Sequence, residues 1–119
     1  MKYILLVDDD EDMMKIVARW LEKAGYEVSS VTSGKAAVAA VSERTPDLVL
    51  LDYSMPDMDG PATLAAIRET VPDKNIPVLF RTGKDDLSSQ EIMEKCNPAG
   101  VISKAEGKPA LLAAIAEIC

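Results

Sequence analysis

Five short apolar runs, separated by longer stretches with helical spacing, constrain this 119-residue chain more than any other feature. Tyr3–Val7 is apolar throughout and ends at Asp8, the pattern of a strand buried on both faces. Glu11–Ala24 follows with helical periodicity. Met13, Ile16, Val17, Trp20, Leu21 and Ala24 form its expected apolar stripe, and Gly25 supplies a stop. The alternation then repeats: a strand over Glu27–Val31, a helix over Ala36–Arg44, a strand over Leu48–Leu51 ending at Asp52, and a helix over Ala62–Val71 with Pro61 at its first position. Val78–Thr82 is a fourth strand. Ser88 and Glu91 have capping-box spacing for a helix running to about Cys96, which Asn97-Pro98 stops. Val101–Ser103 is a short fifth strand, and Pro109 opens a last helix with Leu111, Leu112, Ile115 and Ile118 on its apolar face.

Five strand–helix pairs with no repeat, linker or change in composition predict a single α/β domain over residues 1–119. Uniformly apolar strands joined by helices predict a parallel sheet covered on both faces, with right-handed crossovers. In such sheets, ligands bind beyond the carboxyl ends of the strands. Asp8-Asp9, Asp52, Thr82 and Lys104 stand at the ends of the first, third, fourth and fifth strands. The topology therefore gathers three carboxylates, a hydroxyl and an amine at one edge.

Crowded carboxylates need a counter-charge, or one of them must stay protonated. Mg²⁺ answers that need: it takes hard oxygen ligands and keeps several waters, leaving room for a phosphoryl oxygen. Asp52 can then help to hold the cation with one oxygen and attack phosphorus with the other, since carboxylates form acyl phosphates. Lys104 and Thr82 supply the charge and the hydrogen bond that a phosphoryl group needs.

Composition excludes several other classes. The net charge of −7 opposes a nucleic-acid face and anionic membrane surfaces. The chain has no histidine, which removes His-based acid–base catalysis and His-ligated zinc. Cys96 and Cys119 lack any paired spacing and read as free thiols. The apolar start is too short for a signal peptide and is followed at once by acids, and no run approaches membrane-spanning length, so a cytoplasmic protein is expected.

The segments Ile4–Asp10, Leu48–Gly60 and Pro77–Thr82 resemble the receiver domains of two-component response regulators, the chemotaxis-regulator-like fold included. The resemblance covers essentially the whole chain and is strongest up to Gly60. It implies a flavodoxin-like, doubly wound (βα)5 sandwich with a five-stranded parallel sheet in the order 2-1-3-4-5. It implies that Asp52 accepts a phosphoryl group from a histidine kinase or histidine phosphotransfer protein. Mg²⁺ would be held by Asp8, Asp9, Asp52 and the main-chain carbonyl of Ser54, while Thr82 and Lys104 contact the phosphoryl group. Output would pass through the face made by the fourth helix, fifth strand and fifth helix to a separate protein partner or to an output domain outside this chain. Such a domain is no multiple-turnover enzyme: it catalyses only its own phosphorylation and dephosphorylation.

Five positions stand apart. Val101 takes the place of the family's aromatic on the fifth strand and cannot swing as that aromatic does, although Thr82 can still move. Ala105 follows Lys104 where proline is usual, which predicts a trans bond and a reshaped loop over 105–108. Arg81 is unexpected on an inner strand; alternation points it away from Thr82, toward either the strand-end acids or a partner surface. By the resemblance, Ser54 and Lys84 tune phosphate lifetime. Asp10, Glu11 and Asp12 are expected to serve the helix dipole, and Asp57 and Asp59 turn and cap chemistry. Two other readings fit part of this pattern. One is a degenerate receiver that binds a partner without phosphorylation. The other is a Mg²⁺-dependent phosphatase like the haloacid dehalogenases, which needs a second acid two residues past the nucleophile, where Ser54 stands.

Overall fold

A computed structural model describes residues 1–56, 58–83 and 86–119. Asp57 and Lys84, assigned turn and lifetime roles above, lie outside the described residues. Strands β1 (Tyr3–Val7), β2 (Glu27–Val31), β3 (Leu48–Asp52), β4 (Val78–Thr82) and β5 (Gly100–Ser103) alternate with helices α1 (Glu11–Lys23), α2 (Gly34–Glu43), α3 (Gly60–Thr70), α4 (Ser89–Cys96) and α5 (Lys108–Ile118). All strand pairs are parallel, in the order β2-β1-β3-β4-β5. This is the doubly wound α/β fold that the sequence pattern and the family resemblance implied.

Alternation along each strand divides the core in two. Leu5, Val7, Val49, Leu51, Val78 and Phe80 pack with α2, α3 and α4 residues such as Val41, Leu64, Ile67 and Ile92. Ile4, Leu6, Leu48, Leu50, Leu79 and Ile102 pack with α1 and α5 through Val17, Leu21, Leu111 and Ile115. The α1 stripe is shifted round the helix from the expected one. Ile16 is 46% exposed and Ala24 is exposed, whereas Met14 and Ala18 join Met13, Val17, Trp20 and Leu21 against the sheet. The face that packs on the sheet is thus centred on Val17 and Leu21, and Ile16 lies on its open flank.

Helix starts follow their caps. Ser33 accepts from Ala36 N, so α2 begins two residues earlier than its apolar run. Asp59 accepts from Ala62 N at 2.9 Å, so α3 takes in Gly60 and Pro61. Ser88 accepts from Glu91 N, as its spacing predicted, and Asp10, expected to serve the helix dipole, caps α1 by accepting from Asp12 N and Met13 N. Gly25, at φ +99°, ends α1, and Asn97, at φ 49°, ends α4. Among the described residues no peptide bond is cis, so the bond between Lys104 and Ala105 is trans as expected. Beyond it, Ala105 N donates to Ser103 Oγ and Glu106 N to the Ser103 carbonyl, forming a tight turn.

Candidate phosphoacceptor site

Three neighbouring strands build the site. The β1–β3 register pairs Val7 with Leu51, so the next residues, Asp8 and Asp52, come side by side. Carboxylate oxygens of Asp8, Asp9 and Asp52 all lie within 4.8 Å of one another. Asp8 and Asp52 are buried, while Asp9 is exposed and opens the cluster to solvent. The loop that follows β1 is fixed locally: Asp10 N donates to Asp8 Oδ1 at 2.9 Å, and Asp10 in turn caps α1.

Lys104, just past β5, extends its ammonium to 2.9 Å from Asp52 Oδ1. The approach is that of an ion pair, off the line of a directed hydrogen bond, and both buried Asp52 oxygens are left without a directed donor. Burial chiefly pushes the Asp52 carboxyl up to about 6. Lys104 pulls it down, and Asp8 and Asp9 add to the rise. A buried carboxylate with two free oxygens, beside two further carboxylates, matches the hard-oxygen donor set of Mg²⁺.

Thr82 and Ser54 stand on the same edge but enter neither the carboxylate cluster nor the ion pair. By alternation Thr82 falls with Val78 and Phe80 on the α2–α3–α4 side; it is buried, and its carbonyl accepts from Lys104 N at 2.8 Å. That bond ties the fifth strand end to the fourth. The Ser54 hydroxyl donates to Asp86 Oδ1, while Asp86 Oδ2 accepts from Gly83 N at 2.7 Å. Asp86 thus clips the segment after β3 to the segment after β4. Its position close after Gly83 suits a local turn, but no spacing in the sequence discloses a partner 32 residues away.

Arg81 turns toward the acids. The β3–β4 register places it directly beside Asp52, and its Nη1 lies 3.9 Å from Asp8 Oδ2. Of the two directions left open by the sequence, the structure selects the strand-end acids. Gly60 fixes the approach from the other side. A Cβ there would meet Phe80 Cε1 and Tyr53 Cα at 2.8 Å and the Asp52 carbonyl at 2.9 Å, so no side chain fits. Its N–H donates to the Tyr53 carbonyl at 2.8 Å, holding the start of α3 against the end of β3.

Comparison with known proteins agrees with this geometry. The response regulator receiver domain family matches residues 4–116. The chain is 36% identical over 104 residues to the response regulator receiver protein CpdR of Brucella abortus (strain 2308), covering 87% of this chain and 85% of that protein. It is 31% identical over 87 residues to the transcriptional regulatory protein PrrA of Mycobacterium tuberculosis (strain ATCC 25618 / H37Rv), covering 73% of this chain but only 36% of PrrA. The chemotaxis protein CheY4 of Vibrio cholerae superposes with a TM-score of 0.90 at 26% identity, over 100% of this chain and 99% of that one. No helix among the described residues is long and apolar enough to cross a membrane. The match over nearly the full length, with the acids gathered where the parallel strands end, leads to one conclusion: the chain belongs to the response regulator receiver domain family of two-component signalling.

Proposed function

We propose that Asp52 accepts a phosphoryl group from a phosphohistidine on a histidine kinase or phosphotransfer protein. The observation that carries this reading is the buried Asp52 carboxylate, with both oxygens lacking a directed donor, 2.9 Å from the Lys104 ammonium and grouped with Asp8 and Asp9. One Asp52 oxygen forms a bond to phosphorus as the bond from phosphorus to the donor imidazole breaks, and the imidazole leaves with the electron pair and takes up a proton. Lys104 stands beside the attacking oxygen and offsets the charge carried in on the phosphoryl oxygens. Thr82, at the neighbouring strand end, donates its hydroxyl to a phosphoryl oxygen after a short shift. Asp8, Asp9, Asp52 and the main-chain carbonyl of Ser54 would hold Mg²⁺, which when bound neutralises phosphoryl charge. The complete acid set supports phosphorylation over a degenerate binding module.

The phosphoryl group adds about −1.5 to −2 charge at neutral pH. Lys104 is hydrogen-bonded through its backbone to Thr82, so a change at one strand end reaches the other. The readout face would be α4, β5 and α5, where Leu87 and Met93 are exposed just before and on α4. Its partner would be a separate protein or an output domain. With Val101 in the fifth strand, the readout would rest on the movement of Thr82 and its loop. The test is intact-mass measurement after incubation with acetyl phosphate. One phosphoryl group per chain in Mg²⁺, and none in EDTA, supports the reading; no uptake in Mg²⁺ refutes it.

A further inference from the structure

Arg81 is the one buried cation of the described core, and the functional reading makes no use of it. It is 4% exposed, on an inner strand whose other residues, Val78, Leu79 and Phe80, are apolar up to Thr82. Burying a guanidinium is unfavourable unless an anion is at hand. The register supplies that anion: Asp8, Asp52 and Arg81 occupy one row across β1, β3 and β4, on the α1–α5 side of the sheet. Nη1 is 3.9 Å from Asp8 Oδ2, too far for a hydrogen bond, and it has no other partner. Through Nη1 the group faces Asp8 as a charge, without a directed bond to either buried carboxylate that would fix its geometry.

We infer that Arg81 is an internal counter-ion of the acid pocket, which partly offsets the repulsion between Asp8 and Asp52 in the metal-free protein and thereby weakens the binding of Mg²⁺. This deepens the metal-dependent reading above and rests on it. Two consequences follow from charge alone. Because the arginine is buried, its positive charge acts on a cation in the pocket with little screening. And because it already neutralises part of the acid charge, the metal-free pocket gains less when a cation arrives. Lys104 is the other cation facing the acids, but it is one-third exposed and can retreat into solvent, which the buried arginine cannot.

The test compares the full chain with Arg81→Met and Arg81→Lys, using magnesium chloride in titration calorimetry and thermal melts in EDTA and in Mg²⁺. Arg81→Met removes the charge and keeps an unbranched chain; Arg81→Lys keeps the charge. We expect Arg81→Met to bind Mg²⁺ about tenfold more tightly than the parent and to gain a larger rise in melting temperature from the metal. Arg81→Lys should stay within about twofold of the parent. Folding of Arg81→Met in Mg²⁺ but not in EDTA would also support the inference, since the metal would then replace the missing cation. Should Arg81→Met fold in neither medium, Arg81→Gln is judged by the same affinity criterion. Unchanged or weaker Mg²⁺ binding in the neutral variant, or loss of the difference between Arg81→Met and Arg81→Lys, overturns the inference while leaving the metal site in place. Absence of Mg²⁺ binding in the parent and the variants alike overturns the metal site itself, and the inference with it.

Discussion

Replacing Asp52 by asparagine should make the metal-free protein more stable, although it removes the residue proposed to carry the function. In the folded chain the Asp52 carboxyl titrates near 6 rather than at its ordinary 3.8, chiefly because burial disfavours its charge. A shift of roughly two units corresponds to about 3 kcal/mol of instability from ionising this group at neutral pH. Asp52 is only 2% exposed, so little of this is lost to solvent screening. Between the two titration points the folded chain holds more protons than the unfolded chain. The stabilisation therefore exists at low pH and disappears as pH rises through about 6. The asparagine side chain would be neutral throughout and nearly the same shape, and its amide could donate to the neighbouring acids. We expect Asp52→Asn to gain about 2–3 kcal/mol over the parent in urea unfolding at about pH 7.5 in EDTA. The gain should shrink toward pH 4, where the parent acid becomes protonated, and Mg²⁺ should narrow it by stabilising the parent more. A variant less stable than the parent at neutral pH, or a difference that does not change with pH, would refute the reasoning.

Two other sites give distinct expectations. Gly60→Ala drives a Cβ against Phe80, Tyr53 and the Asp52 carbonyl, and should lower stability by about 1–3 kcal/mol in denaturant unfolding; a loss below a few tenths would show that α3 can shift away from β3. Asp86→Ala removes the bonds to Ser54 and Gly83 at an exposed site, so stability should fall by less than about 1 kcal/mol. Amide exchange at Gly83 should nevertheless speed up, and unchanged exchange there would mean that the clip does not hold this loop.

What the sequence disclosed follows from topology. A parallel sheet puts every strand end on one edge, so Asp8, Asp9, Asp52, Thr82 and Lys104 could be placed together without coordinates. The cap at Ser88 was legible because Glu91 completes a capping box three residues on. Asp59 was legible as a cap too, whereas Ser33 was missed, because the apolar run of α2 starts later than the backbone helix. Ile16 fits the α1 stripe by spacing, but which flank of the helix packs on the sheet depends on tertiary contacts that periodicity does not encode. The face on which Arg81 lies could be read from alternation. Its choice of Asp8 over a partner surface depends on register between strands far apart in sequence. The Ser54–Asp86 clip has no local signature at all.

The most direct measurement is chemical mapping of the acyl phosphate. After transfer from a phosphorylated histidine donor in Mg²⁺, borohydride reduction leaves homoserine wherever an aspartyl phosphate had formed. Peptide mapping should find that residue at position 52 alone. Homoserine at position 8 or 9, or at none of the three, would contradict the assignment of Asp52 as the acceptor.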